Sequence, residues 1–374
     1  MSAVKPPQYN ADVCATVKEL RRSVEERWLQ GRPPLRPILS LAASVYAGLL
    51  ALRSWLYRHR LLAQRRLPAT VVGIGNLTLG GTGKTVVAAY LAEWLRDRGC
   101  RIGIVSRGYG RRGHGLLVVS EGDGPLVTVE EAGDEPYLLA RALRGVPIVV
   151  GANRYQAGHV AVERFGCRYL LLDDAFQNLG LVKDVDLLLV NARDPWGNGA
   201  LFPAGVLREP LAALGRADWI LLSRAEAGEA DGLIAGIRRY NRDAPIVRIT
   251  YRPSGLGVWG SSEVLPAAWI RGKRCLAFAG IADPTSFESV ARASGAALVA
   301  FHALRDHHAY TRRDLETLER RARGLGAEAL LTTEKDAVRL PAAHRPGLPV
   351  WFLRIRMEIL DGQEAWASLL RRLN

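Results

Sequence analysis

The sequence predicts an α/β fold: a mainly parallel sheet covered by helices, a second, smaller α/β domain after it, and a membrane-associated helix at the N-terminal side. Three observations carry that prediction. From Ala69 onward, short β-branched runs alternate with amphipathic helical stretches, the pattern of repeated βα units. A glycine-rich turn stands between the first of these strands and the first helix. Ahead of both, Ile38–Leu52 is free of charge and is followed by a cluster of arginines and aromatics. The chain has 374 residues, 48% of them hydrophobic and 24% charged. At about 150 residues per domain that length suits two domains with a sizeable core, and the composition excludes a disordered chain, a collagen and a polytopic membrane protein.

Residues 1–35 read as a loosely ordered extension, ended by the turn-forming Gly31, Arg32, Pro33 and Pro34. They lack the apolar core of a signal peptide, so the expectation is a protein that stays in the cytoplasm. The cysteines at 14, 100, 167 and 275 are far apart and suit a reducing compartment rather than a disulfide framework or a zinc site.

The net charge is +14. Residues 1–66 hold twelve basic and four acidic side chains, so +8 of it lies there, and Arg36–Arg66 contains six arginines and no acid. A segment of this kind faces nucleic acid, anionic lipid or solvent. Its apolar content favours lipid: the uncharged run is shorter than the roughly 20 residues that span a bilayer, and Arg53, Trp55, Tyr57, Arg58 and Arg60 are the mix found at a headgroup boundary. Residues 36–68 therefore read as a helix lying in the cytoplasmic leaflet. The alternative is a helix packed on the protein's own core with a solvated basic end.

Residues 69–250 form the first domain. Strands are expected at Thr70–Gly75, Arg101–Ser106, Val146–Gly151, Tyr169–Asp173, Val185–Val190 and Trp219–Ser223, with helices at Thr85–Arg98, Glu135–Leu143 and Arg154–Phe165. Residues 251–273, rich in Gly, Pro, Ser and Trp, read as a linker with room for a short hairpin. Residues 274–374 form the second domain, with strands at Arg274–Gly280, Leu298–Ala303, Ala329–Thr333 and Val350–Ile355 and helices at Ser286–Ser294 and Arg312–Leu325.

The strongest chemical signal is the run Ile74–Thr85, IGNLTLGGTGKT, between a strand and a helix. Glycines let backbone N–H groups converge on phosphate oxygens at a helix N-terminus. Lys84 can then reach the outer phosphates while the Thr85 hydroxyl binds Mg²⁺, which makes the first domain P-loop NTPase-like. The strict pattern wants glycine where Thr78 stands, but Gly80, Gly81 and Gly83 remain. Such a site needs an acid at the end of a neighbouring strand, and Tyr169–Asp174 runs four apolar residues into Asp173 and Asp174.

Together with these, the segments SRGYGRR (106–112), AGDEPYLLA (132–140), LLLDDAFQN (170–178), GNGALFPAGVLREP (197–210) and LLTTEKDAVRL (330–340) resemble the tetraacyldisaccharide 4'-kinase family over about residues 36–340. The resemblance implies transfer of the γ-phosphate of ATP, with Mg²⁺, to the 4'-hydroxyl of a tetraacyldisaccharide 1-phosphate lipid A precursor at the inner membrane. It implies an ATP cradle of Thr78, Leu79, Gly80, Gly81, Thr82, Gly83, Lys84 and Thr85, and Thr85, Asp173 and Asp174 as metal ligands. It implies an Asp134–His307 pair that activates the sugar hydroxyl, Asp134 as proton acceptor tuned by His307 or the reverse. Arg107, Tyr109, Arg154, Gln177 and Arg208 are its candidate substrate-binding residues. Spacing alone would not join Asp134 to His307; without the resemblance the first is a helix N-cap and the second a surface histidine.

Three positions depart from the family. Ala175 and Asn178 stand in DDAFQN where DDGFQH is usual, and Arg305 stands where the family has proline. The rival classes are a membrane-associated P-loop ATPase switch of the partition or targeting type and a nucleic-acid-binding protein. Leu79 occupies the place of the switch family's signature lysine, and no nucleic-acid motif accompanies the basic segment, so nucleic acid is not an expected partner.

Overall fold

The computed structural model describes residues 35–225, 230–341 and 346–373, which leaves the extension expected over 1–35 outside the described residues apart from Leu35. Its strands are β1 Thr70–Asn76, β2 Ile102–Ser106, β3 Leu117–Ser120, β4 Ile148–Val150, β5 Tyr169–Asp173, β6 Val185–Asn191, β7 Trp219–Ser223, β8 Ile246–Val258, β9 Val264–Leu265, β10 Arg274–Ala279, β11 Ala297–Ala303, β12 Ala329–Thr333 and β13 Val350–Asp361. The helices are α1 Leu35–Arg58, α2 Lys84–Arg96, α3 Val129–Ala132, α4 Asp134–Ala142, α5 Arg154–Phe165, α6 Asp231–Arg238, α7 Pro284–Ala293, α8 Arg312–Gly324, α9 Glu334–Ala337 and α10 Gln363–Arg372.

All thirteen strands belong to one sheet, ordered β11-β10-β12-β13-β8-β7-β6-β1-β5-β2-β4-β3, with β9 paired to β8. Strands β4 to β8 along this path run parallel, and β3 is antiparallel at the edge. Their sequences, such as YLLLD and WILLS, are nearly continuous apolar runs because helices bury both faces. α2 and α4 cover one face with Leu91, Leu95 and Leu139, and α5 covers the other with Ala157 and Ala161. Around β10 and β12, α7 and α8 repeat the arrangement with Phe287 and Ala291 on one side and Leu315 and Leu318 on the other.

The two strand groups meet along β8 and β13, which pair antiparallel from Arg248↔Asp361 to Val258↔Trp351. Strand β7 pairs with the start of β8, Ser223 against Ile249. Strand β12 pairs with the start of β13, Thr333 against Leu353, and Leu353 lies against Leu256 near the far end of β8. The second group therefore runs opposite to the first and is displaced along the ribbon. Its strands end pointing back toward the ends of the first group, across the seven-residue step from Ile249 to Leu256, about 23 Å of extended chain. Both sets of C-terminal strand ends face one cleft.

Beyond short elements that the sequence reading left unassigned, such as β3, α3 and α6, it differs from the structure in three main places. Residues 251–273, expected as a linker, continue β8 to Val258 and then form the hairpin with β9. Pro253, which argued for a loop, sits at a register shift where Ser254 has no opposite residue, the position in a sheet that tolerates proline. The end of the chain returns to the first group: Trp366 and Leu369 of α10 join the core cluster of α2, and Trp219 Nε1 donates to the Ala365 carbonyl at 3.1 Å. The N-terminal helix, expected over 36–68, stops at Arg58. Arg60 turns left-handed (φ 59) and the Leu61 N–H bonds the Leu56 carbonyl. Arg65 then bridges to Leu181 as extended chain.

Helix α1 has two faces. Tyr46 Oη donates to the Arg208 carbonyl at 3.0 Å and Arg53 to the Gln177 carbonyl at 2.9 Å, tying one face to the protein. The other face exposes Ile38, Leu41, Val45, Leu49, Leu52 and Trp55, a stripe at helical spacing with Leu41 68% exposed.

Candidate active site

Strand β1 delivers the phosphate loop to the cleft. Gly83, the cap of α2, is left-handed (φ 88) and offers no side-chain cap, so the first N–H groups of the helix stay free for an anion. Glycine is needed there for a second reason: a β-carbon would collide with the Tyr251 hydroxyl, which donates to the Thr82 carbonyl at 2.7 Å. On its other side the loop is braced by the segment 206–208. Thr78 bridges to Leu207, Leu79 N–H bonds the Val206 carbonyl at 2.8 Å, and Arg208 N–H bonds the Leu77 carbonyl at 2.7 Å. Backing the loop is thus the structural task of the PAGVLREP segment.

Lys84 Nζ lies 3.0 Å from Asn76 Oδ1 and 3.4 Å from Asp174 Oδ1. Asp174 also takes Arg208 at 2.8 and 2.9 Å. Burial works to raise its pKa, but the charges of Lys84 and Arg208 outweigh that and hold it below the usual carboxylate range. Asp173, at the end of β5 and opposite Ile74 of β1, is in a different state. It is fully buried and, among the described residues, neither carboxylate oxygen has a hydrogen-bond partner. Burial, then the charges of Glu135 and Asp174, push its pKa up to about 7 against the pull of Lys84 and Arg154.

An orphaned buried carboxylate beside a phosphate loop fits a hard cation that takes oxygen ligands. Asp173, Asp174 and the Thr85 hydroxyl are the residues that would hold Mg²⁺. An ion of this kind takes one or two carboxylates from the protein and fills its other positions with phosphate and water.

Across the cleft, His307 Nδ1 lies 2.8 Å from Asp134 Oδ2. Asp134 opens α4 in the first group, while His307 sits after β11 in a left-handed turn (φ 56). The Tyr109 ring, 75% exposed, stands 6.1 Å from the imidazole. Burial works to raise the Asp134 pKa, but the His307 hydrogen bond and the Arg339 and Lys335 charges outweigh it and hold the carboxyl below its usual range. Lys335 reaches Glu135 at 3.1 Å, and Arg339 Nε lies 3.4 Å from Asp134 Oδ2. Neither Lys335, Arg339, Glu135, Asn76 nor Tyr251 was singled out from the sequence. Lys335 and Arg339 lie in the segment LLTTEKDAVRL, Glu135 in AGDEPYLLA and Asn76 in the run Ile74–Thr85, so those blocks were the available signal, while Tyr251 lies outside all of them.

The five candidate substrate residues separate. Arg107 and Tyr109 are exposed after β2. Arg154 is 5% exposed and donates to the Gly151 carbonyl. Burial lowers its pKa to about 10 against the pull of Asp173 and Asp174, which makes it a counter-charge to the acids. Gln177 donates to the Asn76 carbonyl, and Arg208 is committed to Asp174. The departures in DDAFQN are also explained. The left-handed residue of that turn is Asp174 (φ 51), so Ala175 needs none of the freedom a glycine has there, and Asn178 Oδ1 accepts the Gly180 N–H at 3.2 Å.

A phosphate loop opening a helix, its lysine held against a strand-end acid, and an Asp–His pair facing it across a cleft define an ATP-dependent phosphotransferase of the P-loop class. The family described as Tetraacyldisaccharide-1-P 4'-kinase matches residues 35–374. A tetraacyldisaccharide 4'-kinase from Pelobacter propionicus is 42% identical over 318 residues, covering 83% of this chain and 86% of that protein. Another from Anaeromyxobacter sp. strain K is 41% identical, covering 93% and 94%. The crystal structure of LpxK from Aquifex aeolicus in complex with ATP superposes with a TM-score of 0.74 at 31% identity, covering 91% of this chain and 99% of that one. The chain belongs to the tetraacyldisaccharide 4'-kinase family, ATP- and Mg²⁺-dependent kinases of lipid A biosynthesis.

Proposed function

We propose that this chain transfers the γ-phosphate of ATP to the 4'-hydroxyl of tetraacyldisaccharide 1-phosphate at the cytoplasmic face of the bacterial inner membrane, with His307 as proton acceptor and Asp134 as its orienting carboxylate. The observation that carries the reading is the 2.8 Å Asp134–His307 contact, made across the cleft that also holds the phosphate loop. An ionised carboxylate only accepts hydrogen bonds, so His307 Nδ1 carries the hydrogen. Its Nε2, 3.9 Å from Asp306 Oδ1 and beyond hydrogen-bond reach, is left to take a proton. Asp134, surrounded by cations, is the weaker base of the two. Of the two orders that the family resemblance allows, this is the one with His307 as acceptor.

Lys84 and the free N–H groups of α2 hold the transferring phosphate, and positioning with charge neutralisation supplies most of the acceleration. Bound Mg²⁺ would add neutralisation of the phosphate charge that builds up in transfer. A sugar hydroxyl is a weak acid, so His307 removes its proton as the new O–P bond forms.

Helix α1 supports docking on an anionic membrane. Pro37–Arg58 is long and apolar enough to cross a membrane by length and composition, yet one face is bonded to the protein at Arg208 and Gln177. That arrangement favours a helix embedded along the leaflet by its outer stripe. A cavity of about 480 Å³ between α1 and the 199–212 segment, lined by Ala43, Ala47, Leu201, Leu207 and Leu211, suits an acyl chain of the substrate. The test is purified protein with γ-labelled ATP, Mg²⁺ and tetraacyldisaccharide 1-phosphate in detergent micelles. Label should appear in the lipid at the 4' position; label released only as free phosphate would support a switch ATPase instead.

A further inference from the structure

We propose that Arg339 is a positioning residue for the acceptor-activating pair, fixing Asp134 and the His307 turn from a single buried guanidinium. The inference rests on the roles assigned above to Asp134 and His307. Arg339 has only 6% of its side chain exposed and reaches both partners. Its Nε lies 3.4 Å from Asp134 Oδ2, on the opposite strand group. Its Nη1 donates to the His308 carbonyl at 3.2 Å, and its Nη2 donates to the Gly280 carbonyl at 2.9 Å. Gly280 O also accepts the His307 N–H, at 3.1 Å, so one carbonyl is shared between the guanidinium and the histidine backbone.

Behind the guanidinium stands Asp336, fully buried, which takes Arg339 Nη2 at 2.7 Å, Tyr310 Oη at 2.8 Å and the Gly280 N–H at 3.1 Å. An Arg–Asp pair three residues apart would need none of the other contacts if it served only the end of a short helix. Here the planar fork is used along its full width: Nε donates to the Lys335 carbonyl at 3.3 Å, and the same edge of the cation faces the Asp134 carboxylate as an ion pair. A left-handed non-glycine residue such as His307 needs surroundings that over-determine it, and the two carbonyls held by Arg339 supply part of that constraint.

The charged and titratable groups facing the assembly are few. Asp134 faces His307, Arg339 and Lys335, with Glu135 beside it; His307 faces Asp134, Asp306 and the Tyr109 ring; Arg339 faces Asp134, Asp336 and Tyr310. The Arg339 charge is one of the cations that hold the Asp134 carboxyl ionised, so removing it lets Asp134 keep its proton to higher pH. The acid limb of kcat should then move up.

The test is the pH profile of kcat and the KM for ATP in Arg339→Gln and Arg339→Lys, with lipid acceptor saturating. Arg339→Gln should lower kcat roughly tenfold to a hundredfold, raise the acid limb, and leave the KM for ATP unchanged. Arg339→Lys keeps the charge and loses the fork, so its limb should stay at the wild-type pH while kcat falls. An unmoved limb in Arg339→Gln, or a matching loss of ATP affinity, would overturn the inference. If Arg339→Gln does not fold, Arg339→Lys decides: a displaced limb or an unchanged kcat overturns it. Wild-type rates in Asp134→Asn and His307→Ala would sink the underlying pair instead. Inactive pair variants beside Arg339 variants that titrate as wild type would remove Arg339 alone.

Discussion

Asp173 and Asp174 are neighbours in sequence with opposite electrostatic fates. Asp174 is held ionised by Lys84 and Arg208, whereas Asp173 is buried with both oxygens unpaired and its pKa raised to about 7. A carboxyl raised in the folded state contributes stability that is full below its ordinary value near 4 and is lost as pH climbs through about 7. Metal-free protein should therefore melt progressively lower between pH 5 and 8 on account of this group. Asp173→Asn should flatten that decline and raise the stability of the metal-free protein at pH 8 by about 1–3 kcal/mol, while abolishing phosphoryl transfer. Thermal melts in a chelator read the first effect and the lipid assay the second; an unchanged pH dependence of melting would show that Asp173 is solvated or paired. Lys84→Ala should cost transfer about 2.7–4 kcal/mol without unfolding the protein, the scale of one lost electrostatic contact to developing charge. Wild-type turnover by this variant would remove Lys84 from the site.

Among the elements, β8 ties the phosphate loop to the rest of the sheet through the Tyr251 hydroxyl on Thr82. Tyr251→Phe leaves that carbonyl unpaired and should weaken ATP binding by about 1 kcal/mol, roughly fivefold. Gly83→Ala should remove ATP binding altogether, because its β-carbon has no room and its φ is left-handed. Calorimetric titration with ATP distinguishes the two; retained affinity in Gly83→Ala would show that the loop can accommodate a side chain there. Helix α1 makes a separate prediction. Leu41→Glu with Leu49→Glu changes only the outward stripe, so binding to anionic vesicles should fall while Tyr46 and Arg53 keep their contacts. Raised salt should weaken binding of the intact chain, since basic residues near such a surface give about 1 kcal/mol each. Binding that survives the double substitution would place the docking surface elsewhere.

The parallel strands β1, β2, β4, β5, β6 and β7 and the helices α2, α4 and α5 were legible because burial on two faces writes continuous apolar runs between glycine-rich turns, whereas the edge strand β3 and the short α3 and α6 were not. Strand β8 was not: Pro253, Ser254 and Gly255 carry loop chemistry, and only the pairing with β13 accommodates them at a register shift. At the candidate site, Lys84, Thr85, Asp173 and Asp174 were singled out from local pattern, and the structure brings Lys84 within 3.4 Å of Asp174. Arg339 and Tyr251 were not, because what distinguishes them is a partner brought in by the sheet from far along the chain.

At the scale of the molecule, the antiparallel β8–β13 ribbon turns two sets of strand ends toward each other, and the proposed mechanism divides phosphate and acceptor chemistry between them. The first group supplies the phosphate loop, the acids and Asp134; the second supplies His307 and the cations Lys335 and Arg339. Changes in how far the cleft closes would then act on the acceptor step more than on ATP binding. The most direct test is a double-mutant cycle on kcat for Asp134→Asn and His307→Ala at saturating lipid acceptor. If the two residues act as one unit, each single change lowers kcat steeply, ATP binding is nearly intact, and the double variant is little worse than the slower single one. Fully additive losses, or a larger loss from His308→Ala than from His307→Ala, would contradict it.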